Sequence, residues 1–185
     1  MKPYSFKICS LSMKQIFYTL LFVLQLTACL AQQTARQAHC ANPAFDAKVE
    51  SLIKFSVPTI SVEQLKAMED VFIADAREEE EYQVSHIPTA QYVGHKDFDV
   101  ERLAGADKDT PIVVYCSVGY RSEKIGEQLQ EMGYTEVYNL YGSIFEWVNQ
   151  GNPVVDALDN TTDRVHTYNK KWSQWLDDGK AVEVW

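Results

Sequence analysis

Cysteine is scarce in this chain, and basic residues are outnumbered. The 185 residues hold four cysteines, at 9, 29, 40 and 116, and no C-x-x-C pair, which removes a thioredoxin-like dithiol mechanism. Cys9 and Cys29 lie in or before a leading apolar segment. That leaves Cys40 and Cys116, too few for a disulfide scaffold. A Cys40–Cys116 bridge stays open. The four histidines, His39, His86, His95 and His166, show no metal-ligand spacing, so no metal is expected. A glycine-rich nucleotide loop is also missing, and no cofactor is expected. Seventeen Lys and Arg face 26 Asp and Glu, for a net charge of −9. A surface this acidic repels phosphate backbones and argues against a nucleic-acid partner.

Long apolar runs are lacking too. Ile16 to Leu26 is apolar apart from Tyr18, Thr19 and Gln25, and falls short of the roughly 20 residues that span a bilayer. It follows Lys14 and precedes small residues, the pattern of a signal peptide over 1–28. Met13 is a better start for that pattern than Met1. Leu26-Thr27-Ala28-Cys29 resembles the bacterial lipobox, which implies lipidation of Cys29 and an envelope protein anchored to the outer membrane, facing the periplasm. Plain secretion with cleavage near Ala31, and an uncleaved anchor, are the alternatives. Beyond residue 28 the chain keeps 14 basic and 26 acidic residues, a net −12.

What is present is an alternation of short apolar runs and amphipathic stretches. Residues 29–42 are polar and small, and read as a tether. Over 43–58, Asn42-Pro43 opens a helix with Phe45, Val49, Leu52 and Ile53 on one face. Ser61 and Gln64 form a capping box for a helix that turns Val62, Leu65 and Met68 inward. Strands are predicted at Thr59-Ile60, Val71 to Ala74, Gln91 to Val93, Ile112 to Tyr115 and Glu136 to Leu140. Helical segments fall between them: a short acidic one at Glu78 to Val84, a turn at Val100 to Gly105, Ser122 to Met132 with Ile125, Leu129 and Met132 inward, and Ser143 to Asn149. Gly133 is the natural stop of the longest. The alternation predicts an α/β fold, a mostly parallel sheet with helices on both faces. After a polar linker from 156, Val165, Tyr168, Trp172, Trp175 and Leu176 fall at helical spacing. They predict an amphipathic helix within 156–185 that packs on the domain.

The chemistry concentrates at Val113 to Ser122. A cysteine ends a buried strand, and a short loop containing Gly119 turns at once into a helix. Backbone N–H groups from Ser117 to Ser122 would then converge on Cys116, and the helix dipole adds positive potential. Both favour thiolate over thiol. Arg121 supplies a permanent cation for an anion held in the loop. Ser117, Val118, Gly119, Tyr120 and Ser122 would form the substrate-binding loop, with Ser122 also a candidate helix cap.

Three further segments accompany this loop. Asp75-Ala76-Arg77 follows a buried strand. His86-Ile87-Pro88-Thr89-Ala90 comes next, and Tyr138 to Trp147 follows the cysteine. Together they resemble the rhodanese-like family over residues 59–155: its D-x-R, its G-H-I-P-G-A with Ser85 and Thr89 in place of both glycines, and its V-x-x-L-x-G-G-x-x-x-W with Ser143 in place of the second glycine. The resemblance implies a three-layer α/β domain and sulfur transfer. Cys116 would take a sulfane sulfur from a small anionic donor such as thiosulfate and pass it to a thiol or cyanide. Arg121 would bind the donor, while Asp75, Arg77 and His86 would be structural. A monomer is expected.

Three other readings compete. The cell-cycle phosphatases of related fold use C-x5-R, whereas Cys116 and Arg121 give C-x4-R, a loop that suits sulfur better than phosphate. Rhodanese-like domains also serve as non-catalytic binding modules, and fold alone does not decide. A redox-responsive envelope protein is a third alternative.

Overall fold

Ile112 to Tyr115 has no polar face, so a strand built from it must be covered on both sides. The computed structural model describes residues 38–185, and in it this strand lies at the centre of the sheet. Five strands, β1 (Thr59–Ile60), β2 (Phe72–Asp75), β3 (Gln91–Tyr92), β4 (Ile112–Tyr115) and β5 (Val137–Leu140), run parallel in the order β1-β5-β4-β2-β3. Register aligns Asp75 with Tyr115 and Val114 with Asn139, which brings the C-terminal ends of β2, β4 and β5 together. Residues at that edge can therefore meet in one site.

Strand alternation sorts the core into two layers. Ile112 and Val114 join Ala74, Ile125, Leu129 and Val137 on one face. Val113 and Tyr115 join Phe45, Ile60, Leu65, Leu140, Ile144 and Phe145 on the other. Parallel neighbours need crossovers, and helices supply most of them. These are α1 (Pro43–Glu50), α2 (Val62–Ala67), α3 (Glu79–Val84), a 3-10 turn (Val100–Leu103), α4 (Tyr120–Glu131) and α5 (Ser143–Asn149). The Ser61–Gln64 capping box forms as expected: Gln64 N–H donates to Ser61 Oγ at 3.2 Å, and Ser61 N–H donates to Gln64 Oε1 at 2.8 Å. Gly133, at φ +89°, follows the end of α4. That end falls one residue before Met132, so Met132 points outward, 44% exposed, rather than into the core.

Several boundaries differ from expectation, and the helix expected over 43–58 already ends at Glu50. The segment predicted as tether is already part of the fold at residue 38: Ala38 and Cys40 are buried, Cys40 N–H donates to Asp46 Oδ1 at 2.7 Å, and Ala41 N–H donates to Glu146 Oε1 at 3.0 Å. Cys40 and Cys116 are both free thiols. The predicted signal segment and Cys29 lie outside the described residues.

The C-terminal stripe is not one helix. β6 (Val154–Val155) and β7 (Thr161–Thr162) form an antiparallel pair, and β8 (Arg164–His166) runs parallel to β9 (Val182–Val184). Between β8 and β9 there is a single turn of helix, α6 (Lys170–Ser173). Tyr168 breaks the helical path with φ +65°, and Asn169 caps a fresh start by accepting from Lys171 N–H at 3.0 Å. Four of the five apolar residues still pack on the domain. Val165 and Leu176 are buried, Trp172 and Trp175 lie against the core, and Tyr168 is exposed. Asn149 ties this tail to α5, donating to Trp175 O and accepting from Asp177 N–H, both at 2.9 Å.

Phe45 of α1 joins both flanks to the centre. It is fully buried, with ring centroids 5.6 Å from Trp175 and 6.4 Å from Phe145. Phe45→Ala is expected to cost about 3–5 kcal/mol, read as a lower urea midpoint at unchanged slope. A loss below about 1 kcal/mol would show that the flanks contribute little to the domain.

Candidate active site

Cys116 follows the last residue of β4, where the strand must give way to α4. Gly119 makes that turn with φ +120°, a conformation that L side chains rarely adopt. The turn brings the Gly119 N–H to 3.2 Å from Cys116 Sγ. Ser122 Oγ stands 3.6 Å from the sulfur and 2.7 Å from Asn139 Oδ1, so its single proton has a shorter path to the amide. Burial pushes the Cys116 thiol up. The Arg121 charge, the Ser122 hydroxyl and the backbone N–H groups of Ser122 and Gly119 outweigh it, and the net shift is downward.

Buried side chains from neighbouring strands hold the loop. Asn139 on β5 accepts from Ser122 and donates to Gly119 O at 2.9 Å, fixing both arms of the turn. Ser143 Oγ accepts from Cys116 N–H at 3.1 Å and donates to Leu140 O at 3.1 Å. Ile144 and Phe145 N–H donate to the carbonyls of Cys116 and Ser117. Ser143 and Thr89, two of the residues standing in glycine positions, keep the left-handed backbone at φ +54° and +67°. Ser85, the third, is extended at φ −170°. The replaced glycines therefore leave two left-handed turns in place, at a cost on the order of 1 kcal/mol each.

Arg121 lines the cavity, and its guanidinium is at the same time bound within the protein. Nη1 lies 2.6 Å from Glu81 Oε2 and Nη2 lies 2.8 Å from Glu81 Oε1, a bidentate pair. Nη2 also donates to Ser117 Oγ at 2.9 Å, and Ser117 Oγ donates to Glu81 Oε1 at 3.1 Å. Glu78 adds a second carboxylate at 3.8 Å and itself meets Lys96 at 3.4 Å. Burial pushes the Glu81 carboxyl up, but hydrogen bonds and charge from Arg121 overcome it and hold it at about 2.

The Asp75–Arg77 pair lies beneath the site, fully buried. Arg77 Nη2 meets Asp75 Oδ2 at 2.7 Å and donates to Ser85 O at 2.6 Å. Tyr115 OH donates to Asp75 Oδ2 at 2.5 Å and accepts from Ile87 N–H at 3.1 Å. This network clamps the end of β2 to residues 85–87 and to the residue preceding Cys116. His86 stacks on Tyr82 with centroids 3.9 Å apart, and its backbone exchanges hydrogen bonds with Val155. Asp75, Arg77 and His86 line no part of the cavity above Cys116.

That cavity measures about 280 Å³ and is lined by Cys116, Ser117, Val118, Tyr120 and Arg121 from the loop and α4, with Leu52, Glu78, His95, Lys96, Tyr168 and Trp172 around them. Sequence reasoning missed Glu81, Asn139 and Ser143 as loop supports. It also missed His95, Tyr168 and Trp172 as lining residues. Glu81 sat unmarked in a run of four glutamates; its spacing of three from Glu78 on a short helix was the one available signal. Among the described residues no group of three or more His, Cys, Asp or Glu could hold a metal ion.

The geometry agrees with what known proteins show. A family model described as rhodanese-like domain matches residues 61–150. The thiosulfate sulfurtransferase GlpE of Coxiella burnetii is 34% identical over 97 residues, covering 52% of this chain and 89% of that protein. A protein named sulfurtransferase from Allochromatium vinosum is 33% identical over 93 residues, covering 50% and 86%. The solution structure of the rhodanese-like domain of the Anabaena protein Alr3790 superposes with a TM-score of 0.51 at 21% identity, over 56% of this chain and 82% of that one. This chain belongs to the rhodanese-like family.

Glu81 titrates from about 4.5 when unfolded to about 2 when folded, so its contribution is complete above about pH 4.5 and is lost as pH falls through about 2. Glu81→Gln is expected to cost about 3–5 kcal/mol at pH 7 by leaving Arg121 buried without its main partner. The gap to the native chain should narrow as pH drops toward 2, measured by urea unfolding across that window. Parallel stability curves would show that the pair does not hold the loop.

Proposed function

We propose that this chain is a sulfurtransferase that carries a sulfane sulfur on Cys116 as a persulfide. One observation carries the reading: a cysteine thiol, lowered below its ordinary value, is buried at the base of a cavity with a backbone N–H directed at its sulfur. The relatives named as sulfurtransferases support the activity class. In the first half-reaction the Cys116 thiolate attacks the outer sulfur of a thiosulfate-like donor. A new S–S bond forms, and sulfite leaves with the electron pair of the broken one. In the second, an acceptor thiolate or cyanide attacks the sulfane sulfur, and Cys116 departs as thiolate. Electrons balance within each step, so no cofactor is required. N–H groups beside the sulfur stabilise the anionic persulfide between the steps.

The setting is part of the same proposal. The apolar segment before Cys29 supports export and lipidation at that residue. An anchored monomer facing the periplasm would meet small sulfur anions directly.

The test is the intact mass of the purified chain before and after thiosulfate. A gain of one sulfur atom, removed by cyanide and absent from Cys116→Ser, is the expected outcome. No gain on a reduced, accessible Cys116 would turn the reading toward a binding module. The lowered thiol also predicts that alkylation of Cys116 rises with pH and reaches half its plateau below pH 9.0, the ordinary value for a thiol. A midpoint at or above it would remove the activation argument.

A further inference from the structure

The residues matched to the family end at 150, yet the walls of the Cys116 cavity reach beyond them on both sides. Leu52 comes from the segment after α1. Tyr168 and Trp172 come from the tail, one just before and one within α6. With Val118 from the loop and Tyr120 from α4 they give the cavity that contains Cys116 an apolar and aromatic side. Tyr168 is held there by Arg121, whose guanidinium carbon lies 5.4 Å from its ring centroid. Its left-handed backbone, at φ +65°, is the break that turns the chain into α6.

The charges around the cavity cancel. Arg121 is taken by Glu81 and Glu78, and Lys96, on the rim, also meets Glu78. Burial, together with the nearby Arg121 and Lys96 charges, lowers the His95 imidazole against the opposing pull of Glu78 and Glu81. Among the described lining residues both cations, Arg121 and Lys96, have carboxylate partners, which leaves little free positive charge for a bulky anion. A volume near 280 Å³ lies at the small end of ligand pockets, room for an organic molecule of modest size.

We infer that the flanking segments build a subsite for an uncharged thiol with an aromatic or branched apolar body, the acceptor of the sulfur carried by Cys116. The inference rests on the persulfide reading above. The acceptor's body lies against Trp172, Tyr168 and Leu52 while its sulfur reaches the persulfide. Its thiolate attacks the sulfane sulfur, the Cys116 S–S bond breaks, and Cys116 keeps the electron pair. The proton lost by the acceptor thiol is matched by one taken up by the product pair, so the exchange needs no oxidant or reductant.

The experiment uses the full chain, loaded with thiosulfate until intact mass shows the extra sulfur, and follows discharge by mass in single turnover. The acceptors are phenylmethanethiol, 2-mercaptoethanol and thioglycolate. Phenylmethanethiol is expected to discharge Cys116 at least roughly tenfold faster than 2-mercaptoethanol at equal concentration, the scale of an apolar group entering a fitted pocket. That ratio should fall toward one in Tyr168→Ala and in Trp172→Ala. The first removes an exposed side chain and so keeps the test readable if the second misfolds. Equal rates for the two neutral thiols, a ratio unchanged in Tyr168→Ala, or thioglycolate as the fastest acceptor would each overturn the subsite while leaving the persulfide intact. Failure of the mass gain itself would overturn both.

Discussion

The bidentate contact between Arg121 and Glu81 is the constraint on which the site depends. A guanidinium beside a reactive cysteine in a short loop invites assignment to the substrate. Here it is 14% exposed, its partner 2%, and each satisfies the other. Taking two charges out of water is costly, and only near-ideal geometry with further hydrogen bonds offsets it. Ser117 provides those bonds, bridging both groups from the residue next to Cys116. The pair thus ties α3 to the loop. It keeps a positive charge close enough to favour the thiolate, while a matched negative charge keeps that cation from acting as a free anion trap.

Around this pair the loop is held by side chains that are buried and hydrogen-bonded. Asn139 engages both arms of the turn, Ser143 takes the Cys116 N–H, and the Asp75–Arg77–Tyr115 network fixes the strand end just before the cysteine. Each of these groups is buried, and an unsatisfied partner would cost on the order of 1–3 kcal/mol. The geometry that aims a backbone N–H at the sulfur is therefore set before any substrate arrives. Preorganisation of this kind matters for persulfide chemistry, because the charge on the sulfur must be stabilised by groups that do not reorganise when it appears.

How much of this was legible in the sequence follows from the range of each interaction. Ile112 to Tyr115, with Cys116, Gly119 and the helix behind them, is local: an apolar run, a turn residue and an amphipathic stretch, each readable from its neighbours. The five strands and the α/β class followed from the same signals. Glu81, Asn139 and Ser143 reach the loop from 36, 17 and 27 residues away along the chain. Apart from the spacing of three between Glu78 and Glu81, nothing in their own surroundings marks them, since a glutamate in an acidic helix is most often a solvated one. The tail failed for another reason. Its apolar residues do face the domain, but burial constrains only which side chains turn inward. Tyr168 and Asn169 settled the backbone path, through a left-handed residue and a cap that restarted the helix.

The glycine substitutions extend this point. Ser143 occupies a position where glycine would hold φ +54° without strain, yet its hydroxyl supplies a bond to the Cys116 backbone that glycine has no atom to make. The strain of a left-handed serine is about 1 kcal/mol, close to the net worth of one buried hydrogen bond. The exchange is nearly neutral for stability and favourable for rigidity at the nucleophile. Thr89 keeps the same backbone without such a contact to the site, and nothing in the structure explains why threonine stands there. A departure from a family pattern is thus informative only once its side-chain partner is known. At residue 143 the partner is the cysteine on which the proposed chemistry turns.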